Sequence, residues 1–239
     1  MYISSIRYKK NISSSQNFPD VHPFYRRSFE ILYDLKEIQT AEQRETDWMI
    51  EPLERTLEDA ALEIPPNYFF DVRTTEEFSC PAPEYYLLKQ LNLAHTSPLS
   101  VKGMGGLAIV QALFIAEQYV QTDKSVLFCA AQHYHCYDNA ANSEQAAVSF
   151  IASKKAGEYF VESIGLCRTY EDAVNIIKDN PSDIIYTDIE QLCFQGLVKT
   201  SPFLTQPLIC LTSLPIQTGR IICISRYQEY YGYYILRKD

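Results

Sequence analysis

Residues 100–120 read SVKGMGGLAIVQALFIAEQYV, and this stretch decides the fold. A short apolar run ending at Val101 enters a glycine-rich turn, and the turn opens a helix that is apolar on nearly every side. A helix of this kind is expected to be buried all round. Its start gathers unpaired backbone N–H groups and positive dipole character, which suits the stabilisation of a thiolate or an oxyanion. The turn, residues 103–106, is Gly-Met-Gly-Gly, so this position has the geometry for a nucleophile and carries none.

The composition limits the class of protein. A chain of 239 residues that is 46% hydrophobic can bury a large core in one domain. The net charge of −9 and the absence of a basic cluster larger than residues 7–10 weigh against nucleic acid as a partner. Residues 200–219 are uncharged but contain three prolines, so we expect no membrane span. Seven cysteines without CxxC spacing, and a start without a signal-peptide core, indicate a cytoplasmic protein with reduced thiols.

Hydrophobic periodicity predicts strands that alternate with helices. The predicted helices cover residues 46–62, 83–91, 106–120 and 170–178. The predicted strands cover residues 1–8, 68–72, 97–101, 125–131, 145–153, 159–167 and 183–187, with a closing hairpin over 220–225 and 230–236; residues 9–20 are predicted to be irregular. This alternation predicts an α/β fold with a largely parallel sheet, helices on its faces and one helix enclosed inside.

The order of these elements resembles the thiolase superfamily and, within it, β-ketoacyl-acyl-carrier-protein synthase III. The residues that carry the resemblance are 50–62, 68–74, 78–93, 106–120, 126–132, 146–152, 183–190 and 220–237. Residues 106–120 resemble the helix that begins at the family's catalytic cysteine. The resemblance implies a thiolase-like, layered α-β-α-β-α fold in a single domain over 1–239. It further implies pseudo-halves at about 1–155 and 156–239, the second of them shortened.

The departures from the family concern its catalytic residues. The cysteine position falls on Gly106, or on Gly105 after a slip of one residue. The histidine position falls near Glu190, and no histidine follows His135. Since covalent acyl transfer needs a thiolate and a stabilised oxyanion, we expect the ketosynthase reaction to be absent.

The resemblance therefore favours a catalytically degenerate, non-catalytic subunit. Such a subunit would pair with itself or with a homologous active ketosynthase, in fatty-acid, polyketide or secondary-metabolite biosynthesis. The alternative is an acyltransferase or thioesterase with relocated catalytic residues that acts on acyl-CoA or acyl-carrier-protein thioesters. A third hypothesis is a small protein that keeps only the surface for acyl-CoA or carrier protein, for which Lys102, Lys154 and Lys155 are the nearby basic residues.

Two clusters are candidates for chemistry. The first is the glycine-rich turn, which we interpret as the remnant of an acyl-thioester pocket. It consists of Lys102, Gly103, Met104, Gly105 and Gly106. Its spacing is that of neither a P-loop nor a dinucleotide fingerprint, so a phosphate cradle is disfavoured against close packing of the helix start.

The second cluster follows the strand at 125–131. Its candidate nucleophiles, bases or metal ligands are Cys129, His133, His135 and Cys136. No second ligand pair stands at a familiar spacing, so we predict no metal and no cofactor. The resemblance places this segment near a dimer contact. Glu190 and Asp188 are expected to face water, and the other cysteines are expected to be small buried groups.

Overall fold

The computed structural model describes residues 1–12, 45–73, 82–132, 144–155, 157–200, 204–213 and 219–238. Ten strands and five helices lie within these ranges. In chain order they are β1 (Tyr2–Ile12), α1 (Glu45–Ala60), β2 (Tyr68–Arg73), α2 (Pro83–Gln90), β3 (Ser97–Lys102), α3 (Leu107–Gln121), β4 (Val126–Gln132), β5 (Glu144–Ser153), β6 (Tyr159–Cys167), α4 (Tyr170–Asp179), β7 (Ile184–Thr187), β8 (Leu197–Lys199), α5 (Gln206–Leu211), β9 (Gly219–Tyr227) and β10 (Tyr230–Lys238).

The ten strands form one sheet with the order β3-β2-β4-β5-β1-β6-β10-β9-β7-β8. Its two halves have the same topology, because the order β3-β2-β4-β5-β1 is repeated as β8-β7-β9-β10-β6. In the first half β2 pairs in parallel with β3 and β4, and in the second β7 pairs in parallel with β8 and β9. The halves meet where β1 pairs with β6, at Tyr2 and Ile3. The exact division of the chain near residue 155 stays a prediction.

The alternation of side chains along β2 shows which face of the first half-sheet each helix covers. Phe70 and Val72 belong to the core cluster around α3, whereas Phe69 packs with Met49 and Leu53 of α1. Because successive side chains of a strand point to opposite faces, α1 and α3 lie on opposite faces of the first half-sheet. In the second half-sheet the outer face is covered by α4, whose Ala173 and Ile177 pack with residues of β7, β9 and β10.

Helix α3 lies between the two half-sheets. It packs against β2, β3, β4 and β5 of the first half and against β6, β9 and β10 of the second. The same core cluster includes Leu208 and Leu211 of α5, so α5 shares the inner layer. The fold is therefore the layered α-β-α-β-α arrangement that the family resemblance implied, with an apolar helix enclosed at its centre. The prediction of a largely parallel sheet is wrong, because the pairs β1–β5, β1–β6, β4–β5, β6–β10 and β9–β10 are antiparallel.

The second half is shortened at its helices. Its inner helix α5 has 6 residues, whereas the corresponding α3 has 15. Between β7 and β8 the described chain forms turns and no helix, whereas α2 connects β2 to β3 in the first half. The sequence analysis predicted neither α5 nor the three-residue β8, since both are too short for a periodic signal.

The first strand is longer than predicted. Residues 9–12 were expected to be irregular, yet β1 continues to Ile12 because its pairing with β5, which begins at Tyr2 and shifts register between Ser4 and Arg7, extends to Ile12. The polar side chain of Lys9 does not interrupt the strand, since it forms an ion pair with Glu51 of α1 (Nζ–Oε2 2.9 Å).

The hydroxyl of Tyr159 ties β6 to the end of α5 and offers a test of the inner layer. It is buried and donates a hydrogen bond to the backbone carbonyl of Leu211 (2.8 Å), and burial raises its pKa to about 12. We expect Tyr159→Phe to lower the free energy of unfolding by about 1–2 kcal/mol, because a buried carbonyl loses its donor. Urea unfolding measures this, with the exposed Tyr230→Phe as control. An equal effect of the two variants would contradict the buried bond.

Candidate functional site at the start of the central helix

The turn before α3 has the backbone of a tight loop and no reactive side chain. Gly103 and Gly105 have positive φ angles of +76° and +51°, in a region that glycine occupies without strain. The amides of Leu107 and Ala108 donate to the carbonyls of Met104 and Gly105 (3.0 and 3.2 Å). No acidic residue lies in the first turn of α3, so the positive end of the helix dipole is not neutralised there.

The aromatic ring of Tyr227 lies against this turn. A Cβ atom added to Gly105 would be only 2.8 Å from Cδ2 of Tyr227, which is shorter than a van der Waals contact. Tyr227 is the last residue of β9, and it belongs to the second half of the sheet. The β9–β10 turn therefore reaches over the helix start and occupies the space next to Gly105.

Gly106 has an ordinary helical backbone. Its φ and ψ angles are −63° and −21°, which any residue adopts, and it is half-buried. The position that the family resemblance assigns to a cysteine could therefore hold one, and here it holds hydrogen. The positive end of the α3 dipole would favour an oxyanion here. The thiols of Cys129, Cys193 and Cys223, however, lie elsewhere in the fold.

The described cysteines are placed elsewhere. Cys129 is buried on β4 in the cluster with α1 and α2, on the face of the sheet opposite α3. Cys223 lies in the core on the α3 side, but burial raises its pKa to about 12 and keeps its thiol protonated at neutral pH. Cys193 is exposed, and Cys167 and Cys210 are half-buried, which corrects the expectation that these cysteines are buried. Cys80 lies outside the described residues.

Of the two carboxylates after β7, one faces water and one does not. Glu190 is exposed in a turn, as expected, and no helix begins there. Asp188 is half-buried, which corrects the prediction for it: it accepts hydrogen bonds from the Ser225 hydroxyl (2.6 Å) and the Arg226 amide (3.2 Å). Burial raises the pKa of Asp188, and these hydrogen bonds oppose that rise. Asp188 thus fixes the end of β9 that carries Tyr227.

Behind the turn lies a fully buried ion pair that the sequence analysis missed. Arg73 Nε donates to Asp71 Oδ1 at 2.7 Å, and neither side chain has any exposed surface. Lys102 Nζ lies 4.0 Å from Asp71 Oδ2 and 3.7 Å from Glu84 Oε2. The predicted pocket residue Lys102 is therefore held beside carboxylates of β2 and α2, and it is not a free cation for an anionic ligand.

The histidine-rich segment lies outside the described residues. This holds for His133, His135 and Cys136, so the structure does not test them as ligands or bases. Among the described residues, no group of three or more His, Cys, Asp or Glu side chains could hold a metal ion. The described part of the chain contains one histidine, His95, which is exposed before β3.

Tyr227 and Asp188 are the residues of this site that sequence reasoning did not find. In the sequence, the tyrosines at 227, 230, 231, 233 and 234 fit aromatic strand pairs or an interface surface, and nothing in that pattern singles out Tyr227. Only the topology, which brings the β9–β10 turn to the start of α3, gives Tyr227 its place.

Comparison with solved structures identifies the fold. The chain aligns with a tetronic acid condensing enzyme (AbyA1) at a TM-score of 0.68 and 8% identity, covering 100% of this chain and 99% of that one. It aligns with 3-oxoacyl-(acyl carrier protein) synthase III from Pseudomonas aeruginosa PAO1 at 0.68 and 12%, covering 99% and 98%. A fungal type III polyketide synthase aligns at 0.62 and 9%, covering 100% and 99%. The chain has the thiolase-like fold of ketosynthase III. No protein-family model matches it, and none of the curated proteins does.

None of the helices in the described ranges is long and apolar enough to span a membrane.

Proposed function

We propose that this thiolase-like chain is a catalytically degenerate, ketosynthase-like subunit that does not itself form a carbon–carbon bond. The observation that carries the proposal is the start of α3: Gly106 stands where a nucleophile would stand, and Tyr227 covers the adjacent Gly105. Among the described residues no histidine accompanies it, since His95 is exposed before β3. A protein of this kind would act in fatty-acid, polyketide or secondary-metabolite biosynthesis in the cytoplasm.

The proposed partner is a second copy of the chain or a homologous active ketosynthase. The edge strand β3 supports pairing, because it ends the sheet and carries no charge before Lys102. Pro98 lacks a backbone N–H and is tolerated on an edge strand when that group would point outward. Ser100 lies two residues after Pro98 in β3, and alternate residues of a strand point their backbone groups to the same side. Its backbone N–H therefore also points away from β2. An exposed edge of this kind is a template for another strand.

Acyl-carrier protein or acyl-CoA is a weaker candidate partner. The net charge is −9, and a carrier protein that is also acidic would be repelled unless a basic patch offsets this. Lys102 lies beside Asp71 and Glu84, and Lys154 pairs with Asp123 (3.1 Å). Of the three basic residues named for docking, Lys155 is therefore the one left to contact an acidic partner, and it is exposed.

The test for catalysis is incubation with acyl-CoA and acyl-carrier-protein thioesters, followed by intact-protein mass spectrometry. We expect no covalent adduct and no turnover above the uncatalysed rate, because the described residues place no activated thiolate at the start of α3. An acyl adduct on a cysteine, or turnover that His135→Ala abolishes, would favour the acyltransferase or thioesterase alternative instead.

The test for pairing is sedimentation of the protein alone and co-purification with a ketosynthase from the native host. We expect an assembly that Ser100→Pro disrupts, since the substitution removes an outward donor and leaves the β2–β3 ladder intact. Ser100→Ala is the matched control and should keep the assembly. A wild-type chain that is monomeric and binds no ketosynthase would contradict the partner role.

A further inference from the structure

The central helix carries one large apolar residue that is not enclosed. Residues 107–110, 112, 113, 116 and 120 of α3 are buried, as expected for a helix between two half-sheets. Phe114 nevertheless has 49% of its surface exposed, and Leu166 at the end of β6 has 54% exposed. Exposing two large apolar side chains to water is unfavourable. These two side chains line the same surface cleft.

This cleft lies between α3 and β6 and has a volume of about 350 Å³. The described residues that line it are Val110, Gln111, Phe114, Ile164, Gly165 and Leu166. None of these residues is charged, and Gln111 supplies the one side-chain amide. Small-molecule sites are concave, mostly apolar and about 300–1,000 Å³ in volume, with few polar groups. The cleft lies at the small end of this range, which suits a single slender ligand.

The sheet topology keeps this cleft open. The ladder between β1 and β6 has partners only at Phe160 and Tyr159, so Ile164 and Leu166 lie beyond it. On their other side these residues pair with β10, where Leu166 is opposite Gly232. No described strand covers their free edge.

A glycine holds the two walls in place. A Cβ atom on Gly232 would be 2.6 Å from Leu107, 3.2 Å from Leu166 and 3.3 Å from Val110. The absence of a side chain at Gly232 therefore allows α3 and the end of β6 to pack onto the β10 backbone. The cleft is consequently built into the packing of α3, and it is not a gap between mobile side chains.

We infer that this cleft between α3 and β6 binds a straight aliphatic chain, such as the hydrocarbon tail of a fatty acid or fatty alcohol. The lining offers apolar contacts along its length and one amide for a polar end, with no charge to pair with an ionic ligand. The site is separate from the helix start, and the inference does not rest on the proposed function.

The test is titration calorimetry of the full chain with 1-octanol, 1-decanol and 1-dodecanol, each below its solubility limit. We expect 1:1 binding in which the Kd falls about 4-fold for each added methylene until the cleft is full. Phe114→Glu and Leu166→Glu should each weaken binding at least about tenfold, because a carboxylate then lies in the apolar wall. Both positions are half exposed, so the fold should tolerate them, and circular dichroism melting checks this.

Ile64→Glu is the matched control. Ile64 has 72% of its surface exposed and is not among the lining residues, so this variant should bind the alcohols as the wild type does. Folded wild-type protein that binds no alcohol would overturn the inference, as would equal binding by Phe114→Glu and the wild type. A Phe114→Glu variant that converts a dimer to a monomer, without alcohol binding by the wild type, would identify the cleft as an interface and also overturn it.

Discussion

Arg73→Met is expected to lower the free energy of unfolding by about 3–5 kcal/mol at neutral pH, the range found when a buried ion pair loses one partner. Asp71 and Arg73 have no exposed surface, and Arg73 Nε donates to Asp71 Oδ1 at 2.7 Å. Methionine preserves much of the volume of the arginine stem, so the loss reflects a buried carboxylate that has lost its guanidinium and keeps Lys102 at 4.0 Å, more than it reflects a cavity. Chemical unfolding with urea at pH 7 measures the difference.

The double variant Asp71→Leu/Arg73→Met is the matched control. Replacing a buried pair by apolar residues of similar volume is often close to neutral, so the double variant should recover most of the lost stability. Lys102 then keeps Glu84 as a neighbour at 3.7 Å. If the double variant is as unstable as Arg73→Met, the cost comes from packing and not from the charge.

The loss in Arg73→Met should also depend on pH. Burial raises the pKa of Asp71 in the folded protein, and Arg73 opposes that rise by its charge and its hydrogen bond. Without Arg73 the folded-state pKa rises further above the unfolded value of about 3.9. Stability from such a group is fully present below the unfolded pKa and is lost as the pH rises through the folded pKa. The deficit relative to the wild type should therefore be smaller at about pH 5 than at about pH 8.

Long apolar patterns made most of the fold predictable from sequence. The helix at 106–120 and the strand at 125–131 have enough buried residues to show their period and their enclosure, and α3 and β4 lie where they were expected. The second half offered weaker signals. In α5 six residues make less than two turns, and β8 has three residues, so neither displays a period.

Only the part of the site formed by consecutive residues, the glycine turn, was predictable from the sequence. The glycine turn is a local feature, and its positive φ angles follow from residue type. Tyr227 contacts it across 122 positions of sequence, a pairing that follows from the sheet order and not from any motif. The Asp71–Arg73 pair sits in an otherwise apolar strand, where charges at alternate positions usually indicate a solvent face. The pair is buried because it lies on the face of β2, shared with Phe69, that packs against α1 and α2.

Gly106→Cys should create a reactive thiol at the start of α3, whereas Gly105→Cys should mainly damage the fold. The backbone at Gly106 is helical, and a thiol there lies at the positive end of the α3 dipole, with no acidic residue in the first turn. Such a position lowers a cysteine pKa from about 8.5 to 7.5 or below. We expect the introduced thiol to be alkylated by iodoacetamide at pH 7 several-fold faster than the exposed Cys193, which serves as internal reference. Peptide mass spectrometry at several pH values gives both rates. Equal rates would mean that the helix start does not stabilise a thiolate.

At Gly105 the φ of +51° costs a side chain about 1–2 kcal/mol, and the contact with Tyr227 Cδ2 at 2.8 Å adds to it. In a Tyr227→Ala background only the backbone strain remains, so the two substitutions should be coupled in a double-mutant cycle of urea unfolding. Additive losses would mean that the ring moves aside freely.

Incubation of Gly106→Cys with acyl-CoA separates two causes of inactivity, the missing nucleophile and the covering ring. If iodoacetamide alkylates Gly106→Cys but acyl-CoA acylates it only when Tyr227→Ala is also present, then the ring closes the acyl site. Acylation of Gly106→Cys alone would mean that the missing sulfur, and not the ring of Tyr227, is what prevents acylation.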